Sequence, residues 1–155
     1  MRSMEIKPFV GIGGLFLGMS KEDVRRAMGE PDDRSVQTHE GDNSRDETWE
    51  YSETGLDATF SSVDDWVLGS ITVKSQIAEL QGLRLVGMTE QDYLEKVRDA
   101  GMILQLEDDF RELGSRDYSC DAMGLSFWVH DGVLQSITIY PKYDESGDTP
   151  LWPKV

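Results

Sequence analysis

The strongest constraint on this chain is that it repeats itself. Val67-Leu68-Gly69-Ser70-Ile71-Thr72-Val73 returns as Val133-Leu134-Gln135-Ser136-Ile137-Thr138-Ile139, with five of the seven positions identical. Upstream, Gly55-Leu56-Asp57-Ala58-Thr59-Phe60 answers to Gly124-Leu125-Ser126-Phe127-Trp128-Val129, and Leu17-Gly18-Met19-Ser20 to Val86-Gly87-Met88-Thr89. The offset is 66 residues for the first block and 69 for the other two. Matched blocks in one order imply a duplicated unit, since self-similarity at a fixed period marks repeated architecture. The expected organisation is a single domain over 1–155 made of two repeats, 9–78 and 79–143, followed by a tail at 144–155.

Each unit reads as a helix followed by strands. Ser20 and Thr89 are good N-caps, and Asp23 and Asp92 stand three residues on, an acidic form of the capping box. The spacing predicts helices from about Lys21 to Met28, stopped by Gly29 and Pro31, and from about Glu90 to Ala100, stopped by Gly101. Val24, Ala27 and Met28, and then Tyr93, Leu94 and Val97, give each helix one apolar face that must lie against something. Period-two alternation predicts strands around Trp49 and Tyr51, over Leu56 to Phe60 and Val67 to Val73, and over Leu125 to Val129 and Val133 to Tyr140. Asp131-Gly132 is a strong hairpin signal, and Glu53-Thr54-Gly55 is a second turn. The expected fold class is α+β: two tandem repeats of a short capped helix and a three- or four-stranded antiparallel meander, with the helices on one face of the sheet.

Charge narrows the function classes. Thirty acidic residues against fifteen basic ones give a formal charge of −15. Nucleic-acid affinity comes mostly from Lys and Arg at phosphates, so no nucleic-acid partner is expected. Docking on an anionic membrane is disfavoured for the same reason. A single cysteine, Cys120, allows no intrachain disulfide. The longest apolar stretch, Phe9 to Met19, is eleven residues with four glycines, too short to span a bilayer and a poor signal peptide. The expected compartment is the cytoplasm.

The start Gly18-Met19-Ser20-Lys21-Glu22-Asp23-Val24, the helix end Met28-Gly29-Glu30-Pro31 and the Trp49 and Phe60 strands resemble the fold of the β-lactamase inhibitor protein family and of the BamE outer-membrane assembly lipoproteins. Tandem duplication is the arrangement of the former. Gly11 through Ser20 is also similar to the opening of cytoplasmic bacterial immunity proteins of toxin systems. The resemblance spans roughly Phe9 to Tyr143. It implies a binding protein that blocks a partner. Two departures stand out: the inhibitor proteins carry disulfides, and the lipoproteins need a lipidated cysteine near the start, which Cys120 is not.

Catalytic signals are sparse. His39 falls in a charged loop and His130 beside a turn, and no Gly-x-Ser-x-Gly elbow is present. With so few His and Cys residues no metal site is expected, and no cofactor. Gly11-x-Gly13-Gly14 lacks the Gly-Lys-Ser/Thr end of a phosphate loop and reads as close backbone approach. The conspicuous chemistry is acid. Between Glu30 and Asp65 stand twelve carboxylates against Arg34 and Arg45. The candidate partner-binding residues are Asp32, Asp33, Asp46, Glu47, Asp64, Asp65, Trp66, Glu107, Asp108 and Asp109, with the acids expected in loops and Trp66 either an interface anchor or a cap on the core edge. Trp49 and Trp128 are expected in the core.

The function so implied is non-enzymatic: an acidic immunity protein or inhibitor that neutralises a basic toxin or enzyme by occlusion. The alternatives are an envelope-assembly module of the lipoprotein type and an enzyme using paired carboxylates. A homo-oligomer joined through sheet edges is a further possibility. A pocket gathering His39 or His130 with a nucleophile would overturn the binding reading.

Overall fold

The hydroxyls of Ser20 and Thr89 accept from the backbone N–H of Asp23 and Asp92 at 3.1 and 3.2 Å, so both helices start where the caps require. The computed structural model describes residues 4–154. A hairpin of β1 (Gly11–Ile12) and β2 (Leu15–Phe16) precedes α1 (Lys21–Met28). Then come β3 (Asp33–Thr38), β4 (Arg45–Tyr51), β5 (Leu56–Ser61) and β6 (Leu68–Val73). After α2 (Glu90–Asp99) follow β7 (Gln105–Phe110), β8 (Ser115–Cys120), β9 (Leu125–His130) and β10 (Val133–Ile139). A short hairpin of β11 (Lys142–Tyr143) and β12 (Pro150–Leu151) ends the fold.

The expected α+β arrangement of two tandem helix-plus-meander repeats is corrected by this structure. Eight strands form one continuous antiparallel sheet in the order β3-β4-β5-β6-β10-β9-β8-β7, and the molecule is mostly strand with two short α-helices. The physical reason lies at the middle of that order. Ile71, Thr72 and Val73 of β6 pair with Ile139, Thr138 and Ile137 of β10. Left apart, β6 and β10 would each present an apolar edge with unpaired backbone groups, and joining them removes both edges.

One face of the sheet is buried. Along β5 and β9 alternate residues point to it: Leu56, Ala58 and Phe60, then Leu125, Phe127 and Val129, none more than 2% exposed. Val24 of α1 and Tyr93 and Val97 of α2 pack there. The helices alone do not cover so wide a sheet. Ile6, Ile12, Leu15 and Leu17, and then Ala78, Leu80, Leu85 and Val86, complete the layer from irregular segments. The glycine run belongs to this cover: Gly13 and Gly14, at φ +61° and +93°, turn the first hairpin. A Cβ at Gly11 would stand 1.9 Å from the Leu15 carbonyl oxygen.

Tyr93 carries one defect in this layer. It is fully buried, and its hydroxyl finds no hydrogen-bond partner among the described residues. Burial, with Tyr118 next, pushes its ionisation far above the usual phenol range. An unsatisfied buried hydroxyl is costly, so Tyr93→Phe is expected to raise stability by about 1 kcal/mol. Urea unfolding checks this, and a loss of stability would show that the hydroxyl is satisfied after all.

Two local expectations are also corrected. Asp33, Asp46, Glu47, Glu107, Asp108 and Asp109 stand in strands, not loops. Every residue of β3 and β7 is exposed, so neither strand carries the alternation that marks a half-buried one. Trp128 is 37% exposed and not in the core, because it alternates with Phe127 and Val129 and so faces the other way.

Candidate functional site

The face turned away from the helices carries the polar half of the strands' alternation, with Tyr140, Lys142 and Tyr143 bordering the part that holds Ser119 and Ser126, and the register shows what else it carries. Thr48 faces Thr59, and Thr72 faces Thr138, with hydroxyls 3.0 and 3.1 Å apart. This polar middle is flanked by acid at both ends.

At the β4–β5 end stand Asp46 and the turn that holds Asp64 and Asp65. Asp64 lies against Gly69, where a Cβ would meet its carboxylate at 2.9 Å. Burial, then the charges of Asp46 and Asp65, pushes the Asp64 carboxyl above the usual range. His39 Nε2 lies 2.9 Å from Asp46 Oδ2. Asp33 joins this end directly opposite Glu50, and Asp57 is paired with Lys74 at 3.0 Å.

At the β7–β9 end, Trp128 is directly opposite Asp117, and Asp117 is directly opposite Asp108. Glu107 sits at an irregularity in β7 and accepts from the Ser119 hydroxyl at 2.5 Å. Burial, then Asp108 and Glu107, pushes the Asp117 carboxyl up. Like charges directly opposite across strands cost stability. Among the described residues no Lys, Arg or His forms an ion pair with Asp64, Asp108 or Asp117.

The remaining sequence candidates serve the helix side. Asp32 accepts from the Ser52 N–H at 2.6 Å and so pins the turn after β4. Glu47 accepts from the Trp49 indole N–H at 2.5 Å and pairs with Lys21 at 3.3 Å. Asp109 lies 3.5 Å from Arg116 Nε, and Arg116 also holds Glu90 at 2.7 Å. Trp66 packs against the core edge beneath Lys21 Nζ, 4.4 Å from its ring centroid. Asp117 and Phe110 of the open face escaped the sequence reading, and Trp128, expected in the core, lies on this face instead. Strand alternation from Phe127 was the signal that places Trp128 there.

His130 does have a hydroxyl beside it. Ser115 Oγ is 2.7 Å from its Nδ1, and Asp131 Oδ2 is 3.4 Å from its Nε2. A hydrolytic serine needs an approachable Oγ and a carboxylate that holds the imidazole firmly. Here Ser115 is 4% exposed, and the Asp131 side chain is 79% exposed at a turn, where water weakens its grip. The three tie the ends of β8 and β9 together. Among the described residues no group of three or more His, Cys, Asp or Glu side chains is placed to hold a metal ion. No helix among them is long and apolar enough to cross a membrane.

Comparison with protein-family models, with curated proteins and with solved structures finds no match.

Proposed function

We propose that this chain is an acidic, non-catalytic binding protein that neutralises a basic protein partner, a toxin or an enzyme, by laying its open sheet face over it. The observation that carries this reading is the face itself: eight strands wide, acidic at both ends, with Asp64, Asp108 and Asp117 set beside other carboxylates and joined to no cation among the described residues. Crowding of this kind opposes folding, and a cationic counter-surface offsets that cost.

Size supports the reading. Eight strands of about six residues, at about 4.8 Å spacing and 3.3 Å per residue, offer a face of roughly 700 Å². A standard interface covers about 800 Å² on each partner. Acidic ends steer the encounter, and the exposed rings of Trp128 and Phe110, with the hydroxyl-bearing surface between the ends, set the residence time.

The test is electrostatic. Reversing Asp33, Asp64, Asp108 and Asp117 to Lys leaves the helix-side network of Asp32, Glu47 and Asp109 intact. Association with an arginine- and lysine-rich peptide, followed by stopped-flow at low salt, is expected to slow by about 10–10³-fold and to show a flatter salt dependence. A quadruple variant that stays folded and associates as fast as the parent would remove the open face from the function.

A further inference from the structure

We infer that the Trp128 end of the open face is a receptor for an arginine side chain, an inference that rests on the binding reading above and names the group received. Trp128, Asp117 and Asp108 occupy one row across β9, β8 and β7, each directly opposite the next. Neighbours in such a row stand about 5 Å apart, so one planar cation reaches the ring and both carboxylates. Phe110 borders the row, with its ring centroid 6.3 Å from that of Trp128 and the planes at 54°. Both rings are open, Phe110 at 43% and Trp128 at 37%. An exposed aromatic pair beside uncompensated acid is neither a core feature nor an ordinary solvated surface.

The chemistry selects a guanidinium. It is flat enough to stack on an indole, is weakly hydrated, and carries five donors in a rigid fork that suits paired carboxylates. An ammonium is a compact, strongly hydrated charge and matches only the acid. The same chain already uses this combination internally. Arg25 and Arg34 flank Trp49 with their guanidinium carbons 5.0 and 5.1 Å from its centroid, and both pair with Glu30. Trp66 has Lys21 and Arg45 over its ring at 4.4 and 5.7 Å. Trp128 likewise has a carboxylate next to it, Asp117 directly opposite, but among the described residues no cation lies over its ring. The partner supplies the missing member.

The experiment uses the full chain with hexa-arginine and hexa-lysine peptides as probes, read by NMR shifts of the indole N–H and the backbone amides at low salt. Hexa-arginine is expected to move the Trp128 indole resonance and the amides of Asp108 and Asp117, and to bind more tightly than hexa-lysine. Trp128→Ala and the near-isosteric Asp117→Asn should each weaken hexa-arginine binding by about fivefold to tenfold, the scale of one cation–π contact or one charged hydrogen bond. Shifts confined to the Asp46 and Asp64 end, or unchanged affinity in both variants, overturn the receptor and leave the binding reading standing. Equal affinity for the two peptides overturns the choice of arginine. No shift anywhere on the face with either peptide overturns the receptor and the binding reading together.

Discussion

Replacing Trp49 by Ala is expected to lower stability by about 3–5 kcal/mol, while the same change at Trp128 costs no more than about 1 kcal/mol. Trp49 is 1% exposed and its ring centroid is 4.8 Å from that of Phe60. Its removal opens a cavity at the junction of β4 and β5 and takes the indole donor from Glu47. It also removes the surface on which Arg25 and Arg34 stack. Against a total stability of about 5–15 kcal/mol for a domain, that loss brings the chain near unfolding. Trp128, at 37% exposed, loses its contact with Phe110 and the area its neighbours cover, but opens no cavity in the core. Urea midpoints for the two variants check the contrast. Similar losses at both sites would return Trp128 to the core and remove it from the open face.

Ile71→Ala is expected to cost about 2–5 kcal/mol, and to do so across the whole sheet. Ile71 is fully buried, faces Ala58 on one side and Ile139 on the other, and so sits where β5, β6 and β10 meet. In one continuous sheet a cavity there weakens strands on both sides of the junction. Native-state hydrogen exchange should show protection falling by a similar factor at Phe60 in β5 and at Phe127 in β9. Loss confined to β3 through β6, with β7 through β10 unchanged, would mean that the two sets of strands open independently.

The elements that could be read in the sequence are those that bury one face. Leu56, Ala58 and Phe60 alternate because the sheet packs on one side only, and Ser20 and Thr89 cap because the helix starts leave N–H groups open. Asp131 and Gly132 take positive φ values of 51° and 75°, as the hairpin signal requires. What stayed hidden is what has no local cause. β3 and β7 are edge strands exposed on both faces, so their acids look like loop acids. The pairing of β6 with β10 joins segments far apart in the chain, and no short-range pattern states which edges will meet. The opposition of Asp108 and Asp117 depends on register in β7 and β8, and an irregularity at Glu107 shifts that register. The acids themselves could be seen in the sequence, and the alternation of Leu125, Phe127 and Val129 already set Trp128 on the opposite side of its strand, at odds with the core position expected of it.

The two outer strands also bear on how well the protein keeps in solution. A sheet that does not close leaves unsatisfied backbone groups along β3 and β7. Glu107, Asp108 and Asp109 guard one side, since two such borders brought together would set carboxylate against carboxylate. The other side, with Arg34 and the exposed Val36, has a weaker guard. Acid or concentrated salt mutes the charge, and the shelf life of a concentrated preparation then turns on β3.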